Sequence, residues 1–118
     1  MKTKLPSVSE HAIMNAIIDL LRYENYYVWR NNTGAQKHTY NGRERWVRFG
    51  KPGFSDIFAV QPKTGRFIAL EVKTPRTKNS ATRFQLDFIQ RIKDQGGIAA
   101  VVCSAEEVIA LLDLKTLL

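Results

Sequence analysis

The chain has 118 residues, 44% of them hydrophobic, and its 18 Lys and Arg against 11 Asp and Glu give a formal charge of +7. That length suits one domain spanning 1–118, and that composition excludes wholesale disorder. The single cysteine, Cys103, excludes an intramolecular disulfide and a cysteine-based zinc cluster, and two histidines, His11 and His38, are too few for a multi-histidine metal site.

The positive excess suits a polyanion such as nucleic acid; a basic surface solvated without a partner is the plain alternative. No stretch approaches a membrane span, and MKTKLPSVSE lacks the apolar run of a signal peptide. The expectation is therefore a cytoplasmic protein with no membrane partner, in a bacterial cell or encoded by a phage within one.

In chain order, Ser7-Val8-Ser9-Glu10 fits a capping box, and Ile13, Met14, Ile17, Leu20 and Leu21 follow at helical spacing, so a first helix runs to about Asn25. Tyr26 to Arg30 reads as a strand and Asn31 to Gly34 as a turn. Ala35 to Arg45 is polar and loop-like, and Arg45 to Phe49 alternates as a short edge strand until Gly50-Lys51-Pro52-Gly53 breaks it. Ile57 to Val60 and Arg66 to Lys73 form a hairpin around Gln61 to Gly65. A loop over Thr74 to Ser80 leads to a second helix from about Ala81 to Gln95, with Phe84, Phe88 and Ile92 one turn apart. Gly96-Gly97 stops it, Ile98 to Cys103 is an apolar strand with Cys103 a core thiol, and Ser104 to Glu107 is a capping box for a last helix. The pattern is α/β: a mixed β-sheet flanked by helices.

The hairpin gathers the chemistry. In FIALEVK, Glu71 and Lys73 share one face of the strand with Cα atoms roughly 6.6 Å apart, while Val72 points with Leu70 and Ile68 to the other. With the connection centred near Lys63, Asp56 falls opposite about Leu70, which puts two carboxylates at one end of the hairpin, within about 5–8 Å of each other. Two carboxylates and a main-chain carbonyl, here that of Val72, suit Mg²⁺ or Mn²⁺, with coordination left for water and a phosphate oxygen. Such an ion acidifies water and offsets phosphoryl charge, and Lys73 then positions the attacking water, deprotonates it or offsets developing charge. A lone Glu-x-Lys is more often a solvated surface pair.

Gly53-x-Ser55-Asp56, Glu71-Val72-Lys73, Gln85 on the next helix and Gly96-Gly97 before an apolar strand resemble the PD-(D/E)xK nucleases, and within them the VRR-Nuc family, over Glu10 to about Cys103. The resemblance implies a restriction-endonuclease-like core and a metal-dependent phosphodiesterase. Asp56 and Glu71 match its metal ligands, Lys73 its catalytic lysine, Gln85 its helix glutamine and Glu10 an acidic residue of its first helix. Ser55 stands where the superfamily has proline. With nothing left over for another domain, the chain looks like a stand-alone member, and those resemble dimeric resolvases that cut branched DNA such as four-way (Holliday) junctions.

Plainer roles exist for the supporting residues. Glu10 also serves as the helix-capping carboxylate, and Gln85 as a polar boundary residue. Lys37, Arg43, Arg45, Arg48 and Lys51, interleaved with Tyr40, Trp46 and Phe49, and then Arg76, Lys78 and Arg83, are candidate DNA contacts or a solvated charged face. Asn32 and Gly34 are candidate neighbours of the site. A homodimer is expected, with Leu111 to Leu118 its candidate surface, and no nucleotide cofactor. The competing functions are a sequence-specific restriction-like nuclease and a DNA-binding module that lost turnover, and an RNA substrate stays open.

Overall fold

The computed structural model describes residues 8–31, 35–48 and 53–116. Helix α1 spans Glu10–Tyr23, strand β1 Tyr27–Arg30, β2 Ala35–Tyr40, β3 Arg43–Arg48, β4 Ile57–Val60, β5 Phe67–Val72, helix α2 Arg83–Asp94, strand β6 Ile98–Val102 and helix α3 Ala105–Leu112. Four strands form one mixed sheet in the order β1-β4-β5-β6, antiparallel except for the β5–β6 pair, and β2 and β3 form a separate two-stranded sheet.

The alternation in FIALEVK sorts the sheet's two faces. Ile68, Leu70 and Val72 turn toward α1 and α3, where they join Ile13, Met14, Ile17, Leu21 and Val108 in the larger core. Each such side chain, when fully buried, contributes about 1.5–3 kcal/mol relative to exposure. Ala69 turns the other way and packs with Phe58, Ala99 and Ile89 of α2 in a smaller core. Glu71 has the same parity as Ala69, so it emerges on the α2 side.

Several sequence expectations shift. Ser9 caps α1, accepting from the Ala12 amide at 3.0 Å, so Glu10 is the first helical residue and not the third of a box begun at Ser7, which lies outside the described residues. Ala35 to Arg45 is no loop: it forms β2 and the start of β3, joined by Asn41-Gly42 at φ 50° and 74°. Two consecutive positive φ values make a type I′ turn, for which Asn-Gly is the preferred pair. The expected edge strand is β3, paired with β2 and not with the main sheet. Phe84 is not in the helix stripe that packs inward; it is 70% exposed, and Ile89 takes the buried position beside Phe88. Ser104 does cap α3, but the Glu107 carboxylate accepts from the Cys103 amide at 2.7 Å, one residue earlier than a capping box requires. Leu112 is buried and Leu114 packs on the core, which leaves Leu111 as the exposed leucine of the described part of the expected dimer surface; Leu117 and Leu118 fall outside it.

Candidate active site

The β4–β5 register pairs Ile57 with Leu70, so one further step sets Asp56 opposite Glu71, one residue from the expected partner. Asp56 is anchored by the main chain: its Oδ2 accepts from the Val72 amide at 2.8 Å. In an extended strand a residue's N–H and C=O point to the same side. The Val72 carbonyl thus faces the Asp56 side of β5, whereas the Lys73 amide donates to Val102 of β6 at 3.0 Å.

Glu71 is 2% exposed. Its Oε1 accepts from Gln85 Nε2 at 2.8 Å and lies 3.7 Å from Lys73 Nζ. Its Oε2 is buried and has no hydrogen-bond donor among the described residues. Burial, then the Asp56 carboxylate through repulsion and a hydrogen bond to the protonated form, push the Glu71 pKa up to about 8; Lys73 opposes the rise and Glu10 adds to it. Among the described residues the site therefore holds a charge imbalance: two carboxylates, one buried, beside the ammonium of Lys73.

That imbalance is the test of whether a cation fits. Among the described residues no group of three His, Cys, Asp and Glu side chains could hold a metal ion. Mg²⁺, however, is commonly held by one or two carboxylates and otherwise keeps its waters. Asp56, Glu71 with its orphan oxygen and the Val72 carbonyl supply that hard oxygen set, so the residues fit a divalent ion.

Gln85 takes its orientation from the start of α2. Thr82 caps the helix and forms a capping box: Thr82 Oγ1 accepts from the Gln85 amide at 3.1 Å, and Gln85 Oε1 accepts from the Thr82 amide at 2.8 Å. With its oxygen engaged, Gln85 offers only its NH₂ to Glu71. On the other flank, the Asn31 amide donates to the Asp56 carbonyl at 2.7 Å and Asn31 Nδ2 to the Ser55 carbonyl at 3.2 Å, which fixes the turn that carries Asp56. Neither Asn31 nor Thr82 is among the expected site residues. Thr82-x-x-Gln85 does match the capping-box pattern, whereas nothing in the sequence signals Asn31.

The structure thus brings Asp56, Glu71, Val72, Lys73 and Gln85 together. Glu10 is exposed and not turned inward, yet close enough to act on Glu71. Arg76 and Lys78 are exposed on the loop after Lys73, and Arg83 is exposed at the first position of α2. Arg43 is exposed at the start of β3, while Lys37, Arg45 and Arg48 occupy the separate hairpin, at positions paired with Trp46, His38 and Ala35. Lys51, Asn32 and Gly34 lie outside the described residues. Cys103 is buried, its Sγ directed at the Thr74 carbonyl at 3.7 Å, and burial followed by Glu107 pushes its pKa up, which suits a core thiol.

A mixed four-stranded sheet flanked by helices, with paired carboxylates at the end of a central hairpin, is a nuclease-like α/β fold. The family model described as the VRR-NUC domain matches residues 8–106, and the chain belongs to that family, whose activity is of the nuclease type with DNA as substrate. A solved structure titled "VRR_NUC domain" superposes with a TM-score of 0.59 at 22% identity, covering 91% of this chain and 97% of that one. No curated protein matches the chain.

Proposed function

We propose that this nuclease is an endonuclease that hydrolyses DNA with Mg²⁺ or Mn²⁺, acts on branched DNA such as four-way junctions, and works as a homodimer. The observation that carries the metal-dependent reading is Glu71: a buried carboxylate, facing a second carboxylate, with one oxygen that has no partner among the described residues. The family membership supports the nuclease reading, and the resemblance to dimeric resolvases is the ground for the branched substrate and the dimer.

Asp56, Glu71 and the Val72 carbonyl would hold the ion, which supplies charge against the phosphoryl oxygens and makes water more acidic. The chain's own residues do the rest. The Val72 amide fixes Asp56, and the Gln85 amide fixes Glu71, so both carboxylates are set before DNA arrives. Lys73, tethered to Glu71, orients the attacking water and donates to the phosphoryl oxygen as charge grows. Water oxygen bonds to phosphorus as the ester P–O bond breaks, and the proton the water gives up passes through solvent to the departing oxygen. Arg76, Lys78 and Arg83, exposed on the segment after Lys73, are suited to hold flanking phosphates.

The deciding experiment is an end-labelled cleavage assay on linear duplex, single strand, flap, splayed arm and four-way junction, with Mg²⁺, Mn²⁺ or EDTA. Wild type cuts the junction in metal and not in EDTA, while Asp56→Ala and Lys73→Ala do not. Wild-type rates in both variants would sink the site assignment. Fixed-sequence products from unrelated linear duplexes would favour a restriction-like enzyme, and tight binding without cutting a module that lost turnover.

A further inference from the structure

Strand β1 is an edge of the main sheet, and it presents two aromatic side chains to solvent: Tyr27 at 72% exposure and Trp29 at 37%. Val28 between them packs into the core on the α1 side. Tyr27 and Trp29 therefore occupy the opposite face, the one from which Glu71 emerges. Helix α2 covers that face over β5 and β6, where Ile89 meets Ala69 and Ala99. Over β1 it leaves the two rings exposed.

Their distance from the site follows from the register. Trp29 pairs with Phe58, and the next residue of equal parity, Asn31, is bonded to Asp56, which lies across from Glu71. Trp29 is thus two residues along the strand, roughly 6.6 Å, from the row that carries both carboxylates. Its ring is also held in place. It meets Tyr27 edge-on, with centroids 5.4 Å apart at 62°, and Phe58 at 5.9 Å and 70°. Phe58 is buried and backed in turn by Phe54, Phe67 and Phe88. A cluster of packed aromatic rings therefore supports the exposed ones from beneath.

Scattered exposed aromatics need no explanation. Two neighbouring ones, braced from below, the nearer of them two residues along the strand from the row of paired carboxylates, do. The occupant is chosen by charge: β1 carries no acid, ends in Arg30, and belongs to a chain of net charge +7. A second copy brings like charge to that edge. A nucleic-acid strand with unpaired bases brings phosphates for the basic groups and a π-face for each ring. We infer that Tyr27 and Trp29 form a stacking platform for unpaired bases of the strand whose phosphate lies at Asp56 and Glu71. The inference rests on the nuclease reading of that site, and it makes single-stranded character beside the cut a recognised feature of the substrate.

The test is fluorescence anisotropy in EDTA, with labelled oligo-dT and an abasic oligomer of equal length. Because no metal is present, the platform is tested apart from cleavage: dT binding that depends on Trp29, with no cutting in Mg²⁺ or Mn²⁺, would keep the platform and remove the catalytic reading. Trp29→Ala should weaken dT binding by about 5- to 160-fold, the range for loss of one stacked base. Trp29→Phe should stay within a few fold of wild type, and the abasic oligomer should bind all three proteins alike. Should Trp29→Ala fail to fold by circular dichroism, Tyr27→Ala takes its place. Trp29 fluorescence, read in a Trp46→Phe background, should be quenched by dT and not by the abasic strand. Wild type that ignores dT, or equal losses on dT and abasic strands, would overturn the platform. A wild-type dimer in sedimentation that Trp29→Ala dissociates, with dT affinity unchanged, would also overturn it and mark this edge as a protein contact.

Discussion

Gln85 Nε2 donates to Glu71 Oε1 at 2.8 Å, across the gap between α2 and β5, while the other end of the same amide closes the capping box on Thr82. One side chain thus caps the start of a helix and aims a carboxylate. Outer groups that orient metal ligands typically matter 10–100-fold in affinity or activity. Gln85→Ala should lower Mn²⁺ affinity and junction cleavage by about that factor. Gln85→Glu should be no better, because it still accepts from Thr82 but sets a third carboxylate against Glu71. Titration calorimetry with Mn²⁺ checks both, and undiminished affinity in Gln85→Ala would remove the glutamine from the site.

Glu71 gives a pH dependence whose sign can be worked out. Its folded pKa is raised to about 8 from 4.5, so between those values the folded state holds more protons than the unfolded one. Stability then falls as pH rises through the window. The metal-free protein should melt at highest temperature near pH 5 and progressively lower toward pH 8. Burial sets the window first; of the groups facing Glu71, Asp56 and Glu10 raise it further and Lys73 lowers it. Mg²⁺ should restore the melting temperature most at the alkaline end, since it competes with the proton. Scanning fluorimetry from pH 5 to 8, in EDTA and in Mg²⁺, reads both trends, and a flat EDTA profile would refute the raised pKa.

Glu71→Gln separates stability from function at the same atom. The amide keeps the shape and removes the buried charge. At pH 8 in EDTA the variant should melt about 4 °C or more above wild type, roughly the shift produced by 1 kcal/mol in a domain of this size. It should lose its Mn²⁺ isotherm and its cleavage together. A variant less stable than wild type at pH 8 would mean that Lys73 already satisfies the carboxylate.

What the sequence makes legible follows from the range of the forces involved. The β4–β5 hairpin and its carboxylates can be read because strand alternation and a Gly-containing turn are local signals. Its register is harder, and Asp56 sits opposite Glu71 and not Leu70 because the chain turns through Gln61–Arg66, where the Gln61 amide donates to Arg66. The β2–β3 hairpin escapes a reading based on apolar runs, since AQKHTY and RERWVR are mostly polar, although Asn41-Gly42 carries the turn signal. Asn31 and the reach of Gln85 to Glu71 depend on how a loop and a helix pack on the sheet, which no local pattern encodes.

Gly53 illustrates such a packing constraint, and it yields a further prediction. Its φ is +89°, and a Cβ there would come 2.8 Å from Phe84 Cβ and 2.9 Å from the Phe84 carbonyl oxygen. The loop that carries Ser55 and Asp56 thus lies against the first turn of α2, which carries Gln85. Gly53→Ala must strain the left-handed backbone, at about 1–2 kcal/mol, and push the two segments apart. A melting temperature lower by several degrees is expected, together with a cleavage loss larger than the stability loss explains, because Asp56 and Gln85 move relative to each other. Normal Mn²⁺ affinity in a folded Gly53→Ala would show that this contact does not position the site.

The basic segment after Lys73 sets the last prediction. Arg76, Lys78 and Arg83 are exposed, and no acid occurs between Thr74 and Arg83. If they contact phosphates, each neutralised phosphate releases condensed counterions, and the logarithm of affinity falls with the logarithm of salt concentration. Alanine at each position should weaken binding to junction and duplex alike and lower the magnitude of the salt slope by about 1. Alanine at Tyr27 or Trp29 should leave the slope unchanged, since stacking releases no ions. The anisotropy titration, repeated across a series of NaCl concentrations, distinguishes the two kinds of contact: a slope unchanged in Arg76→Ala, Lys78→Ala and Arg83→Ala would return that segment to a solvated surface.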